Sequence, residues 1–307
     1  MDMLETETAG SPTDPDVKWT RLKPSQIAPL YTKRYGERLS RACARRILRT
    51  EGYKKRRLSR ELSTGKSPHR EEQFRILNLV RSIFMEMENN PILSIDTKKK
   101  EVLGLFDRGG TLFCKKRPKG WDHQYPHLAQ GKVIPHGIFD VKRNSGFVTI
   151  GNSHESAAFV VDNLRRWWYE EGIHQYPQSD HILLLCDCGG ANSYRHFAFK
   201  KQLLDLAQEL QKRIVVCHYP PYCSKWNPIE HRLFSQMHRA ASGHPFINYQ
   251  QVKELFESAS TKTGLSVTVG IHLQEYEIGL KIGPEQLQKN RIIHHPEMPQ
   301  FNYTLIP

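Results

Sequence analysis

The stretch HILLLCD, residues His181–Asp187, is an uninterrupted apolar run that ends in a carboxylate. A run of this length is typical of a strand that is buried on both faces of a sheet. After it, Phe197–Leu210 has apolar residues at helical spacing, and Arg213–His218 is a second apolar strand. Buried strands that alternate with helices predict a sheet covered by helices, so this part of the chain indicates an α/β fold.

Upstream of this stretch, the pattern predicts hairpins. Val133–Val141 and Gly146–Ile150 read as two strands joined by the turn sequence Lys142–Ser145. Further strands are predicted at Ile92–Thr97 and Glu101–Phe106, and further helices at Glu71–Asn89, Ser156–Tyr169 and Pro228–Arg239. Hairpins followed by alternating strands and helices favour a mixed α/β sheet that is flanked by helices.

The basic residues are concentrated near the N-terminus. The chain of 307 residues has a formal net charge of +13. Lys18–Arg70 contains 17 Lys and Arg against three acids, and all other residues together carry a net charge of −1. A segment this basic attracts a polyanion, because neutralised phosphates release their counterions. Charge alone does not distinguish DNA from RNA or from an anionic membrane.

Two short helices are predicted within the basic segment, at Lys23–Tyr35 and Ser40–Thr50, separated by Gly36. This helix-turn-helix pattern would lay the second helix in the major groove of DNA. The alternative is a basic helix face that is merely solvated. The predicted DNA contacts are Arg41, Arg45, Arg46 and Arg49 on the second helix, and Lys54, Lys55, Arg56 and Arg57 for backbone phosphates.

Composition and pattern together divide the chain into five segments. Residues 1–17 are polar and acidic with few apolar positions, which predicts a disordered lead. We assign 18–60 to a small all-helical DNA-binding domain, 61–90 to a linker and connecting helix, 91–256 to the α/β domain, and 257–307 to a C-terminal extension with a hairpin over Leu265–Leu280.

Several classes of protein are excluded by the same composition. The apolar runs are strand-sized, so no membrane partner is predicted, and the acidic N-terminus is unlike a secretory signal peptide. The six cysteines include no CxxC pair, and Cys186-x-Cys188 suits neither a zinc knuckle nor a redox motif. We therefore expect an intracellular protein whose cysteines are reduced and mostly structural.

Three carboxylates stand at the ends or starts of predicted elements. Asp96 ends the strand that begins at Ile92, and Asp187 ends the HILLLCD strand. Glu230 lies just inside a helix that Asn227 would cap and Pro228 would open. Because ligands gather at the carboxyl ends of strands in open α/β sheets, we expect the three acids to meet there.

Hard oxygen ligands of this kind suit Mg²⁺ or Mn²⁺. Two such ions can activate an attacking oxygen and stabilise a leaving oxygen in phosphoryl transfer, so no Ser or Cys nucleophile is required. The alternative is that each acid is an ordinary cap or surface residue, which spacing alone does not exclude.

These acids lie in motifs that resemble the DDE transposases of ISAzo-type bacterial insertion sequences, from Val17 almost to the C-terminus. The most specific motif is SKWNPIEHRLF at Ser224–Phe234. The others are SIDTKKKE at Ser94–Glu101, GKVIPHGIFD at Gly131–Asp140, RRWW at Arg165–Trp168 and DCGGAN at Asp187–Asn192. The spacings of 91 and 43 positions between the three acids are also similar to those of such enzymes.

The resemblance implies an RNase H-like catalytic domain behind an N-terminal helix-turn-helix domain. It implies that Asp96, Asp187 and Glu230 are the catalytic triad and hold two Mg²⁺ or Mn²⁺ ions. It also implies cleavage at the element ends and attack of the freed 3′-hydroxyl on target DNA. Two ends must be held together, so we expect a homodimer or higher oligomer on DNA, in the bacterial cytoplasm at the nucleoid.

Other residues of these motifs are expected to assist. Asn192, Asn227 and His231 would support the metal ligands. Lys98 and Lys225 would contact DNA phosphates, and Trp226 would stack on a displaced base or simply lie in an exposed loop.

Two features depart from the family pattern: Cys188 stands where glycine is usual, and Tyr222-Cys223 replaces Gly-Thr. The helical sequence before position 19 is also shorter than usual. The alternative interpretation is therefore a truncated, catalytically impaired derivative that acts as a DNA-binding regulator.

Overall fold

The computed structural model describes residues 8–10, 18–20, 22–54, 69–116, 118–277 and 282–307. The chain divides into two compact units, Met1–Ser63 and Thr64–Pro307. None of the helices within the described ranges is long and apolar enough to cross a membrane.

The N-terminal unit contains the two helices that the sequence predicts. They are α1, Pro24–Tyr35, and α2, Arg41–Thr50. Gly36 ends α1 in the left-handed conformation with φ 74°, and the Ser40 hydroxyl accepts a hydrogen bond of 3.1 Å from the Cys43 N–H at the start of α2. Ile27 and Ala44 are buried where the two helices meet.

The N-terminal unit is not all-helical, and residues 1–17 are not only an irregular lead. Thr8–Gly10, β1, pairs antiparallel with Lys18–Thr20, β2. Polar composition, on which the prediction rested, does not prevent this pairing, because the hydrogen bonds between strands join backbone groups that every residue here carries. A small two-stranded sheet therefore precedes the helices.

The larger unit is a mixed α/β structure, as predicted. Its helices are α3, Arg70–Glu86; α4, Ala157–Trp167; α5, Ile173–Gln175; α6, Phe197–Leu210; α7, Ser235–Ala240; and α8, Tyr249–Glu257. Its strands are β3, Ile92–Thr97; β4, Glu101–Leu103; β5, Gly131–Asp140; β6, Ser145–Gly151; β7, His181–Cys186; β8, Arg213–His218; β9, Ser266–Ile271; β10, Ile292–His294; and β11, Asn302–Leu305. Short π-helical segments at Trp168–Gly172 and Glu230–Phe234 precede α5 and α7.

The nine strands form one sheet in the order β10-β11-β8-β7-β3-β5-β6-β9, with β4 paired to β5. The strands β3, β5 and β6 form an antiparallel meander, whereas β7 is parallel to β3 and β8 is parallel to β7. The central strands therefore combine the predicted hairpin with the predicted alternation of strands and helices.

Helices cover both faces of this sheet. One apolar cluster joins Ile92 and Leu183 to side chains of α3, α7 and α8, and the other joins Leu93 and Leu184 to side chains of α4 and α6. Because side chains alternate along a strand, Asp96 lies on the same face as Ile92. This is the face that carries the segment around Glu230.

Two predicted segment boundaries are wrong. The segment 257–307 is not an extension, because β9 pairs with β6 and β11 pairs with β8 within the same sheet. The hairpin over Leu265–Leu280 is also absent from the described residues, where β9 pairs in parallel with β6 instead. The helix assigned to the linker, α3, buries Leu77 and Phe84 in the core of the larger unit. Strand pairing decides the outcome for the C-terminal segment and packing decides it for α3; both involve distant parts of the chain, which local pattern does not reveal.

Candidate active site

Asp96 and Asp187 are brought together by strand register. The parallel strands β3 and β7 pair residue by residue up to Ile95 opposite Cys186. The next residue on each chain is an aspartate, so the two carboxylates lie side by side at the carboxyl edge of the sheet. This edge is where open α/β sheets bind ligands.

Asp96 is a buried acid whose ionised form is disfavoured. Its side chain is 9% exposed, and Oδ1 accepts a hydrogen bond of 2.7 Å from the Thr97 N–H. Burial and the neighbouring charge of Asp187 raise the pKa of Asp96 to about 8. The hydrogen bond from the Thr97 N–H lowers this pKa, but by less than Asp187 raises it. Glu230 and Glu155 add weaker repulsion.

Asp187 is held by the loop that follows it. Burial raises the pKa of Asp187 to about 6, while the Gly189 N–H and the nearby Asn192 side chain favour the ionised form. Asn192 is 3% exposed, and among the described residues its side-chain Nδ2 is buried without a hydrogen-bond partner. Within the described residues, Asp187 Oδ1 is buried and has no hydrogen-bond partner.

The segment that carries Glu230 is attached directly to β3. The Ser94 hydroxyl donates to Asn227 Oδ1, the Asn227 amide donates to the Ile95 carbonyl at 3.2 Å, and the Ile229 N–H donates to the Ser94 hydroxyl at 3.0 Å. Asn227 is fully buried. Its side chain therefore braces the sheet and does not cap the helix, contrary to prediction; only its backbone carbonyl accepts from the Glu230 N–H, at 3.1 Å.

Two glycines allow this segment to lie close to the sheet. A Cβ at Gly137 of β5 would stand 2.6 Å from the Phe234 ring, and one at Gly146 of β6 would stand 2.5 Å from Leu233. Glu230 begins the π-helical segment Glu230–Phe234, a conformation that is rare and often found at functional sites. Close packing and the brace from β3 together fix the backbone at Glu230.

The donor set suits a divalent cation, although it is not a closed metal cage. Among the residues that the structure describes, no three His, Cys, Asp or Glu side chains form a group that could hold a metal ion as they stand. Asp96 nevertheless offers a buried carboxylate and Asp187 a half-buried one, and among the described residues Asp187 Oδ1 lacks a hydrogen-bond partner. A cation would offset both the burial and the repulsion between these acids. The charge of Glu230 reaches both aspartates.

Sequence reasoning missed two residues of the site. Ser94 links β3 to the Glu230 segment, because its hydroxyl bonds both Asn227 and the Ile229 N–H. A serine inside a strand carries no sequence signal that separates it from an ordinary core residue. Glu155 is a fourth acid, and it accepts from the Ala191 N–H at 3.5 Å and from Lys100 at 3.2 Å. Its charge raises the pKa of both aspartates.

Two residues that were expected to assist the site, Lys98 and His231, make contacts that the sequence did not predict. Lys98 is 8% exposed and forms a 2.8 Å ion pair with the equally buried Glu101, which does not fit a contact with DNA phosphates. The sequence predicted that Lys98 contacts DNA phosphates, but its ammonium is instead paired with the Glu101 carboxylate just after β3. The His231 ring Nε2 hydrogen-bonds the Lys225 carbonyl, so this nitrogen is engaged in the turn that precedes Glu230.

The exposed candidates remain accessible to DNA. Trp226 is 52% exposed and packs edge-on against Phe74, with the Lys225 ammonium 5.5 Å from its ring. Arg41, Arg45, Arg46 and Arg49 are all exposed on α2, and Lys54 is exposed just after it. Lys55, Arg56 and Arg57 lie outside the described residues.

Comparison with known families agrees with this geometry. The model of one family, the Rhodopirellula transposase DDE domain, matches residues 1–307, the whole chain. The chain belongs to this family. Membership in the Rhodopirellula transposase DDE domain family supports a transposase function, and it confirms the resemblance to ISAzo-type DDE transposases.

The chain is also similar to solved structures of the Mos1 transposase. The Mos1 paired-end complex with the left transposon end is 16% identical, with a TM-score of 0.45 over 79% of this chain and 74% of that chain. The Mos1 mariner paired-end complex with Mn is 15% identical, with a TM-score of 0.44 over 80% and 71%. The catalytic domain of Mos1 mariner transposase is 13% identical, with a TM-score of 0.40 over 64% and 81%. No curated protein is significantly similar to this member of the family.

Proposed function

We propose that the chain is a DDE transposase with an RNase H-like core, in which Asp96, Asp187 and Glu230 hold two Mg²⁺ or Mn²⁺ ions. The observation that supports this most is the register of β3 and β7, because it brings the buried Asp96 and the half-buried Asp187 together at one sheet edge. The brace of Ser94 and Asn227 supports the third assignment, because it ties the start of the Glu230 segment to β3.

The chemistry follows from these side chains. When bound, two divalent ions stabilise the charge on the attacking and leaving oxygens of a phosphodiester. Asp96 and Asp187 supply fixed oxygens whose repulsion a cation relieves, so they bind cations at the expense of protons. The Asn192 side chain favours the ionised form of Asp187, and no covalent enzyme intermediate is needed.

DNA binding is assigned to the N-terminal unit. The exposed arginines of α2 and the exposed Lys54 supply positive charge where the sequence is most basic. We propose that α1 and α2 act as a helix-turn-helix, with α2 in the major groove. Lys225 and Trp226 would contact DNA near the triad. Joining two element ends to a target requires two copies of the chain on the DNA, by analogy with the class.

The test is strand cleavage and strand transfer on a duplex that carries an end of the element. With Mn²⁺, we expect wild type to nick this duplex and join it to target DNA, and Glu230→Gln to lose both activities. The control is Glu86→Gln, an exposed acid at the end of α3, which should behave as wild type. Cleavage that survives Glu230→Gln would overturn the triad assignment. Metal-independent DNA binding without cleavage by wild type would favour the regulator instead.

A further inference from the structure

Tyr222 has a backbone conformation that favours glycine. Its φ is 63°, in the left-handed region, and it occupies the third position of a turn closed by the Cys223 N–H bonding to the Pro220 carbonyl at 3.1 Å. Pro221 is at the second position. A turn with proline second and a positive φ third normally takes glycine or asparagine there, because a Cβ is strained.

The side chain at this strained position points into solvent. Tyr222 is 69% exposed, and within the described ranges none of the aromatic or cation–ring contacts involves it. Packing inside the larger unit therefore does not offset the strain. Strained residues of this kind are concentrated at functional sites, so the surroundings of the Tyr222 ring are candidates for a binding site.

Beside Tyr222 is a cavity next to the proposed metal ligands. The cavity has a volume of about 350 Å³ and is lined by Asp187, Cys188, Arg195, Pro221 and Tyr222, among others. Arg195 is exposed, and its Nε–H donates to the Tyr194 hydroxyl at 2.8 Å, which orients the guanidinium. The cavity is thus lined by a carboxylate, an arginine and an exposed aromatic ring.

We propose that this cavity receives one nucleotide of the DNA strand at the cleavage site, with Tyr222 stacked on its base and Arg195 near its phosphate. The proposal rests on the function proposed above, since Asp187 marks where the reacting phosphate lies. Every base has a π-face, so stacking suits a position that must accept varied target sequences. The two prolines before Tyr222 restrict the turn, which lowers the entropy lost when the ring orders a base.

The test compares Tyr222→Gly, Tyr222→Ala and Tyr222→Phe. The probe is a single-stranded 12-mer with one 2-aminopurine, titrated in Ca²⁺ so that binding is measured without cleavage. We expect wild type and Tyr222→Phe to quench the 2-aminopurine. Tyr222→Gly and Tyr222→Ala should bind about tenfold more weakly and lose the quenching. The control Tyr169→Ala removes an exposed tyrosine of the π-helical segment Trp168–Gly172 and should bind as wild type.

Thermal unfolding separates stacking from structure. Glycine relieves the backbone strain, so Tyr222→Gly should raise the melting temperature by about 2–4 °C while it weakens binding of the probe. A Tyr222→Gly protein that is more stable and still binds and quenches as wild type would overturn the proposal. Cleavage by wild type and by Glu230→Gln tests the triad. Probe binding and quenching by wild type and by Tyr222→Ala test the Tyr222 assignment, so the two proposals fail in different measurements.

Discussion

At the scale of single residues, the proposed centre depends on two carboxylates, Asp96 and Asp187, each of which follows an apolar run that ends at the same edge of the sheet. Their mutual distance was not recognisable from the sequence, since it depends on the register between β3 and β7. The role of Ser94 was also hidden, because its hydroxyl acts through Asn227, which lies far along the chain. Residue types could thus be selected from sequence, while their partners required the fold.

Replacing Asp96 tests the electrostatics of the pair. The pKa of Asp96 is raised from 3.8 to about 8, so the folded metal-free protein holds the proton more tightly than the unfolded chain. Stability should therefore fall as pH rises between these values. Asp96→Asn cannot titrate and so avoids this loss of stability. The free energy of unfolding of Asp96→Asn relative to wild type should therefore rise by at least about 1 kcal/mol from pH 5 to pH 8. Urea unfolding in the presence of a chelator measures it, and an advantage that is independent of pH would contradict the assignment.

Replacing Ser94 tests the brace. Ser94→Ala leaves the Ile229 N–H and the Asn227 side-chain Oδ1 without their partner, which should lower the free energy of unfolding by about 1–3 kcal/mol. The matched control is Ser82→Ala, an exposed serine whose hydroxyl donates to the Leu79 carbonyl. Equal unfolding free energies for the two variants would show that the brace contributes nothing.

At the scale of elements, the regular strands and helices of the core followed from periodicity. The strand β8 and the helix α6 have the predicted bounds, and the hairpin of β5 and β6 has the predicted turn. The π-helical segment Glu230–Phe234 did not follow, because nothing in local periodicity distinguishes it from an α-helix. The strands β9, β10 and β11 did not follow either, since they are ordered by partners far away in the chain.

The close approach of the Glu230 segment to β5 can be tested by adding one methyl group. Gly137→Ala would place a Cβ 2.6 Å from Phe234, so the segment must shift away from the sheet. We expect a loss of about 1–3 kcal/mol in unfolding free energy, together with weaker Mn²⁺-dependent cleavage. Adding Phe234→Leu should restore part of both losses by making room. Full activity and stability in Gly137→Ala alone would contradict the role of this contact.

At the scale of the whole molecule, the sequence predicted five segments, with the positive charge concentrated in a DNA-binding domain at 18–60 and the α/β domain at 91–256. The structure contains two units, with the division at Ser63. The all-helical character of the first unit was wrong, because β1 and β2 pair across residues that look irregular in composition. The basic character of the N-terminal segment is a property of sequence and needs no fold.

The DNA-binding assignment predicts a particular dependence on salt. Replacing Arg41, Arg45 and Arg49 by Gln should weaken duplex binding and reduce the slope of log affinity against log salt by about 2–3, as expected for three lost phosphate contacts. Fluorescence anisotropy across a salt series measures this slope. Arg213→Gln, which removes an exposed arginine from β8, is the control. An unchanged slope in the triple variant would place the DNA contacts elsewhere.

The claim that Asp96, Asp187 and Glu230 form one metal-dependent centre is tested most directly by nicking of supercoiled plasmid in Mn²⁺. Asp96→Asn, Asp187→Asn and Glu230→Gln should each reduce the nicking rate by at least about a hundredfold, and pairs of these changes should reduce it little further, because the groups act as a unit. Glu86→Gln should nick at the wild-type rate. Nicking by any of the three single variants at the rate of Glu86→Gln would contradict the account.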